Sequence, residues 1–122
     1  MYEILSESKG NLIGVKLIGE VPKDEREEVI SKLKSLGEEH GKIRLLIELH
    51  EFEAFGSETF AAYMEFLLPV VSIIEKFAFV GHSKLQEIAV EIDSFFAKMF
   101  GIKEEYFDYT KLDEAWNWLK ED

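Results

Sequence analysis

The chain has 122 residues, with 14 Lys and Arg against 25 Asp and Glu, and its formal net charge is −11. This charge argues against nucleic-acid binding, because phosphate recognition needs a basic surface, and equally against electrostatic docking on anionic lipid. The absence of cysteine excludes disulfide bonds, thiol catalysis and cysteine-based zinc sites.

The length and the apolar content fit one globular domain with one core, so we expect a single domain over residues 1–122. The N-terminal residues lack the basic start and the apolar run of a signal peptide. The most apolar stretch, residues 60–80, contains Glu65, Glu75 and Lys76, which argues against a membrane-spanning helix. We therefore expect a cytoplasmic protein.

The first half of the chain reads as a hairpin, a helix and a buried strand. Strands are predicted over residues 2–6 and 12–18, and the turn-forming residues between them indicate a β-hairpin. A helix is predicted from 22 or 23 to 40, because acidic side chains crowd its first turns and Gly41 follows its end. The next strand, 43–49, is almost continuously apolar, which is typical of a strand covered on both faces.

The second half alternates helices and strands in the same way. The predicted elements are a helix from 58 to 74 with Ser57 as its N-cap, a strand over 77–80, a helix over 83–100 that ends at Gly101, a strand over 104–109 and a last helix from 110 or 111 to 120. This order predicts an α/β fold with a single mixed, mostly parallel five-stranded sheet flanked by helices.

Three segments resemble a known family. Residues 77–84, Phe-Ala-Phe-Val-Gly-His-Ser-Lys, resemble the "A-V-V-G-D-K-x-W" strand-to-helix junction of the SpoIIAA-like proteins. Residues 106–109, Tyr-Phe-Asp-Tyr, and 113–119, Asp-Glu-Ala-Trp-Asn-Trp-Leu, resemble their "R-Y-F-D…E-A-x-x-W-L" ending. These proteins have a STAS-type fold related to bacterial anti-sigma-factor antagonists. The resemblance implies a small mixed sheet flanked by helices and no established catalysis. We predict no cofactor.

Ser57 is a candidate phosphorylation site. In anti-sigma-factor antagonists, a phosphorylated serine preceded by Asp and followed by Gly opens the helix after the third strand. The matching residues here, 55–60, read Phe-Gly-Ser-Glu-Thr-Phe, so the serine is present and the flanking Asp and Gly are not. Two interpretations stay open, an ordinary helix N-cap and a regulatory switch in which the helix N-terminus stabilises a phosphate.

Two histidines follow the ends of strands that should be neighbours in the sheet. His50, with Glu51 and Glu53 beside it, follows one strand, and His82 follows the next. Imidazole and carboxylate groups at the carboxyl ends of parallel strands could bind a metal or act in acid–base chemistry. Their spacing matches no metal motif, so we predict no metal site and no catalytic residues.

The helix over residues 58–74 is apolar nearly all round, whereas a surface helix needs an apolar stripe on one side. The helix over 83–100 adds further aromatic residues and methionine. Core packing, a homodimer, a protein partner, a lipophilic small molecule and transient membrane contact would each cover such surfaces. The predicted ligand or partner surface consists of Tyr63, Met64, Phe66, Leu67, Phe95, Phe96 and Met99.

Taken with the resemblance, these observations favour a non-enzymatic binding or regulatory domain that uses its apolar helices to bind a lipophilic ligand, a membrane surface or a protein partner. The alternative is a phosphorylation-controlled regulator of the anti-sigma-antagonist type, with Ser57 as the switch.

Overall fold

The computed structural model describes residues 1–19, 21–49, 65–82, 91, 94–95 and 97–122. Its centre is one five-stranded sheet, in which the strands lie side by side in chain order. The strands are β1 (Tyr2–Ile4), β2 (Leu12–Leu17), β3 (Ile43–Leu49), β4 (Ile74–Gly81) and β5 (Lys103–Asp108). β1 runs antiparallel to β2, and every other neighbouring pair is parallel. The predicted mixed, mostly parallel sheet is therefore confirmed.

Two α-helices and two 3-10 segments are fully described. They are α1 (Lys23–His40), a 3-10 helix at Leu68–Ile73, a 3-10 turn at Tyr109–Lys111, and α2 (Leu112–Lys120). The described residues between 91 and 100 are also helical, and Gly101 follows them with a φ of +67°. That left-handed conformation ends a helix and favours glycine, as the sequence predicted.

The sheet buries both of its faces, and alternation along the strands divides the core in two. Alternate residues of β2, β3 and β4, among them Val15, Leu45 and Phe77, pack with α1 and the 3-10 helix. The residues between them, such as Leu46 and Ala78, pack under α2. β3 and β4 are thus covered on both faces, which explains their nearly continuous apolar sequences.

Several predicted boundaries are confirmed: α1 spans 23–40 against a predicted start at 22 or 23, β3 spans 43–49, and β5 agrees within one residue. Two boundaries were wrong by more than one residue: β4 begins at Ile74 and not at Phe77, and β1 ends at Ile4 and not at Ser6. The helical turns change to 3-10 geometry at Leu68, next to Pro69, and end at Ile73. Ile74 is already extended, with φ −88° and ψ 124°, and it pairs with Ile43 of β3. The residues from Ile74 onward also fit a helix by their local pattern, and pairing with β3 determines that they form a strand.

The described part of the chain contains no helix that is long and apolar enough to cross a membrane.

Candidate functional site at the carboxyl edge of the sheet

The carboxyl ends of the parallel strands meet at one edge of the sheet, which is where open α/β sheets bind ligands. The described polar side chains at this edge include Glu48 of β3, which is 8% exposed, and a group from the ends of β4 and β5 and the turn after β5. That group is His82, Tyr106, Asp108, Tyr109 and Thr110.

Tyr106 ties the two strand ends together. Its hydroxyl lies 2.9 Å from the carbonyl oxygen of Gly81 and 2.6 Å from that of His82, to which it donates. The ring packs on Phe79, with the ring centroids 6.2 Å apart. Burial, with a smaller contribution from Asp108, raises the pKa of Tyr106, so the phenol keeps its proton and stays a donor. The backbone at Gly81 and His82 is therefore tied to β5.

The imidazole of His82 is stacked nearly parallel to the ring of Tyr109 with a lateral offset, the centroids being 5.9 Å apart and the planes at an angle of 7°. Both residues are exposed. Asp108 caps the turn below them: its Oδ2 accepts from the Thr110 hydroxyl at 2.6 Å and from the Thr110 N–H at 3.2 Å. These hydrogen bonds, with smaller contributions from His82 and Lys111, lower the pKa of Asp108.

This arrangement presents an aromatic and ionisable surface. His82 and Tyr109 offer stacked rings that a partner can contact, and Asp108 stays ionised beside them. Among the residues that the structure describes, no group of three or more His, Asp or Glu side chains could hold a metal ion.

The predicted apolar surface divides into buried and exposed parts. Phe66 and Leu67 are 7% and 2% exposed and belong to the core under α1, so a docked partner could not reach them in this conformation. Phe95 is half-buried and packs on the same core. Met99 is 63% exposed and Phe100 is 43% exposed. The accessible apolar surface in the described part of this region thus consists of Leu68, which is 49% exposed, and the end of the helical segment before Gly101.

Comparison with known families decides what this fold is. The SpoIIAA-like family model matches residues 12–120 of the chain. The chain belongs to the SpoIIAA-like family. No curated protein and no solved structure matches it significantly. The resemblance seen in the sequence is therefore confirmed, and the mixed sheet with its helices is the STAS-type fold of that family.

Several predicted site residues lie outside the described part of this SpoIIAA-like chain. They are the candidate switch Ser57, the charged group His50, Glu51 and Glu53, and the apolar residues Tyr63, Met64 and Phe96. Their roles stay predictions. His82 is described, and it stacks on Tyr109 at the carboxyl edge.

The opposite, amino edge of the SpoIIAA-like sheet holds a polar cluster that the sequence did not reveal. Arg44 lies at the start of β3, and its Nε–H group donates to Glu75 Oε2 at 2.8 Å. Its Nη1 group donates to the carbonyl oxygens of Leu119 at 2.7 Å and Glu121 at 2.8 Å. Its Nη2 donates to Asp122 Oδ1 at 3.1 Å. A guanidinium at this place satisfies carbonyl groups that the end of α2 leaves without helical partners.

Lys76 of β4 completes the same cluster. Its ammonium donates to the carbonyl oxygens of Trp118 at 2.5 Å and Glu121 at 3.0 Å, and it lies 4.2 Å from the centroid of the Trp118 ring. Burial, assisted by the charge of Arg44, lowers the pKa of Lys76. The sequence feature that could have indicated this cluster is the presence of one cationic residue, Arg44 or Lys76, near the start of each of two apolar strands.

Proposed function

We propose that this chain is a single SpoIIAA-like domain that acts by binding and not by catalysis. A protein partner docks on the apolar surface formed by the helices predicted at 58–74 and 83–100. The observation that carries the proposal is the exposure of Met99 and Phe100 at the end of the second helix. Adjacent large apolar side chains that are exposed to water form an apolar patch, and such patches are typical of surfaces that a partner covers.

The surroundings of these two residues support contact with a protein. Phe100 lies 5.8 Å from Phe95, measured between ring centroids, and Phe95 packs on the main core. A partner that contacts Phe100 would therefore be linked to the core through Phe95. Met99 has a flexible side chain of the kind that adapts to different surfaces. The net charge of −11 disfavours an anionic membrane and a second copy of the chain.

The first test is native mass spectrometry of freshly purified protein, with a denatured sample beside it. The double variant Met99→Gln/Phe100→Gln removes the apolar surface, and Lys98→Gln is a control on the same exposed segment. We expect the wild type to bind the anionic aromatic dye ANS, a probe of exposed apolar surface, more strongly than the double variant, and Lys98→Gln to behave as wild type.

Each outcome of the mass measurement points to one occupant. A wild-type monomer without adduct, together with dye binding that the double variant loses, supports a protein partner. A retained mass that is lost on denaturation identifies a lipophilic ligand, and a dimer identifies a second copy. Equal dye binding by wild type and double variant contradicts the proposal.

A second candidate function is a phosphorylation-controlled regulator of the anti-sigma-antagonist type, with Ser57 as the switch. Membership of the SpoIIAA-like family supports it, together with the place of Ser57 in the sequence after β3. Mass spectrometry of the protein from its own cells should find a phosphate on the peptide that contains Ser57. If that peptide is unmodified under all growth conditions and Ser57→Ala costs only the roughly 1 kcal/mol of a lost N-cap, the switch is excluded.

A further inference from the structure

An open groove of about 470 Å³ lies at the amino edge of the sheet, between the turn after β1 and the end of α2. Its lining includes three cationic residues, Lys9, Arg44 and Lys120, against the two anionic residues Glu7 and Asp122. Arg44 is also paired with Glu75, which lies outside the lining, so the positive charge available to a ligand is that of Lys9 and Lys120. We propose that the groove binds a small di- or tricarboxylate. The site lies opposite the carboxyl edge and does not depend on the proposed docking of a protein partner.

Arg44 supplies the fixed part of this site. Its side chain is 17% exposed, and bonds to Glu75, Leu119 and Glu121 hold the guanidinium in place. Of the two Nη2 hydrogens, one bonds Asp122, and the second has no acceptor in the described part of the chain. A donor that is already oriented loses little entropy when it binds a carboxylate.

Asp122 shows how a carboxylate sits on this donor. Its Oδ1 lies 3.1 Å from Arg44 Nη2, while its side chain is 100% exposed. Moving this carboxylate away costs no buried surface, and surface ion pairs of this kind contribute little. A carboxylate of the ligand can therefore replace that of Asp122 and find both Nη2 hydrogens available.

Lys9 and Lys120 supply the charge for the remaining carboxylates. Both are exposed, and neither side chain has an ion pair or hydrogen bond within the described residues. The negative end of α2 would repel an anion, but Arg44 and Lys76 already bind its carbonyl groups. The volume of the groove falls in the range of small-molecule sites.

The test is a titration of the whole chain with citrate at constant ionic strength, followed by the NMR shifts of backbone amides near the groove, such as those of Leu12 and Lys120. We expect saturable shifts at these amides. Lys9→Gln/Lys120→Gln should weaken citrate binding roughly tenfold, as expected for the loss of two charged contacts. Asp122→Asn should tighten binding several-fold, because the internal competitor is gone.

The matched control is Lys32→Gln/Lys34→Gln, which makes the same charge change on the exposed side of α1. It should leave the affinity for citrate unchanged. The proposal is overturned if the groove amides show no saturable shift, or if the control variant weakens binding as much as the groove variant. Inorganic phosphate that binds as tightly as citrate overturns the assignment to carboxylates.

Discussion

The six-membered ring of Trp116 lies directly against the backbone of Gly14. A Cβ atom at position 14 would come within 2.5 Å of Trp116 Cζ2 and 2.6 Å of Cη2. The same atom would lie 3.0 Å from Cδ1 of Leu5. Trp116 is 3% exposed and closely surrounded, so its ring has little room to retreat. The packing of α2 on β2 therefore depends on a residue without a side chain.

Gly14→Ala should lower the free energy of unfolding by about 1–3 kcal/mol, the usual cost of overpacking a core. The measurement is urea denaturation followed by circular dichroism. In a strand free of such contacts, alanine should stabilise slightly relative to glycine. The control is the same change in a Trp116→Leu background, where the added methyl group should be tolerated. An equal cost in both backgrounds would show that the ring contact does not matter.

The burial of Leu67 and the exposure of Met99 separate core from surface in the predicted binding region. Leu67→Ala should cost about 2–5 kcal/mol, because it leaves a cavity in a core where this residue is 2% exposed. Met99→Ala, at a residue 63% exposed, should change stability by less than about 0.5 kcal/mol. Thermal and urea unfolding of both variants give the comparison. If Leu67→Ala has only a small effect on stability, Leu67 is not part of the core and belongs to the accessible surface.

The bonds of Arg44 to the end of α2 predict that lysine cannot replace arginine there. Arg44→Lys keeps the charge but loses the planar fork that reaches Glu75 and two carbonyl groups at once. We expect a loss of about 1.5–3 kcal/mol and faster hydrogen exchange in the last turn of α2. Lys42→Ala is the control, because the side chain of Lys42 makes one exposed bond, to the carbonyl oxygen of Ser72. Unchanged exchange in Arg44→Lys would show that Arg44 does not hold the helix end.

The sequence predicted those elements whose local signals agree with the final packing. The apolar run of β3 and the Gly41 stop after α1 are examples, and both boundaries are confirmed. Ile74 was misplaced because an isoleucine after a helical segment fits either conformation, and pairing with β3 decides between them.

The polar cluster at the amino edge was missed for a different reason. Arg44 and Leu119 are 75 residues apart in the chain, and no local pattern reports a bond between them. The family resemblance, in contrast, could be recognised in the sequence because it depends on short segments near the end of the chain. The match over residues 12–120 confirms it.

The acid limb of the stability profile should depend on the two hydrogen bonds that Thr110 makes to Asp108. They hold the pKa of Asp108 below its ordinary value of 3.8. As the pH falls, the unfolded chain therefore takes up this proton before the folded one does. The stability that the ionised carboxylate contributes is complete above the unfolded pKa and is lost as the pH falls through the folded pKa.

Thr110→Val removes the hydroxyl donor and should move the pKa of Asp108 up toward 3.8, because the strongest of the contacts that lower it is gone. The folded and unfolded pKa values of Asp108 then lie closer together. Less stability should therefore be lost as the pH falls through them. An NMR titration of the Asp108 carboxyl carbon measures the pKa directly. Thr110→Ser keeps the hydroxyl and should titrate as the wild type does. If valine and serine give the same pKa, the hydroxyl is not what lowers it, and His82 and Lys111 would be the charges to remove next.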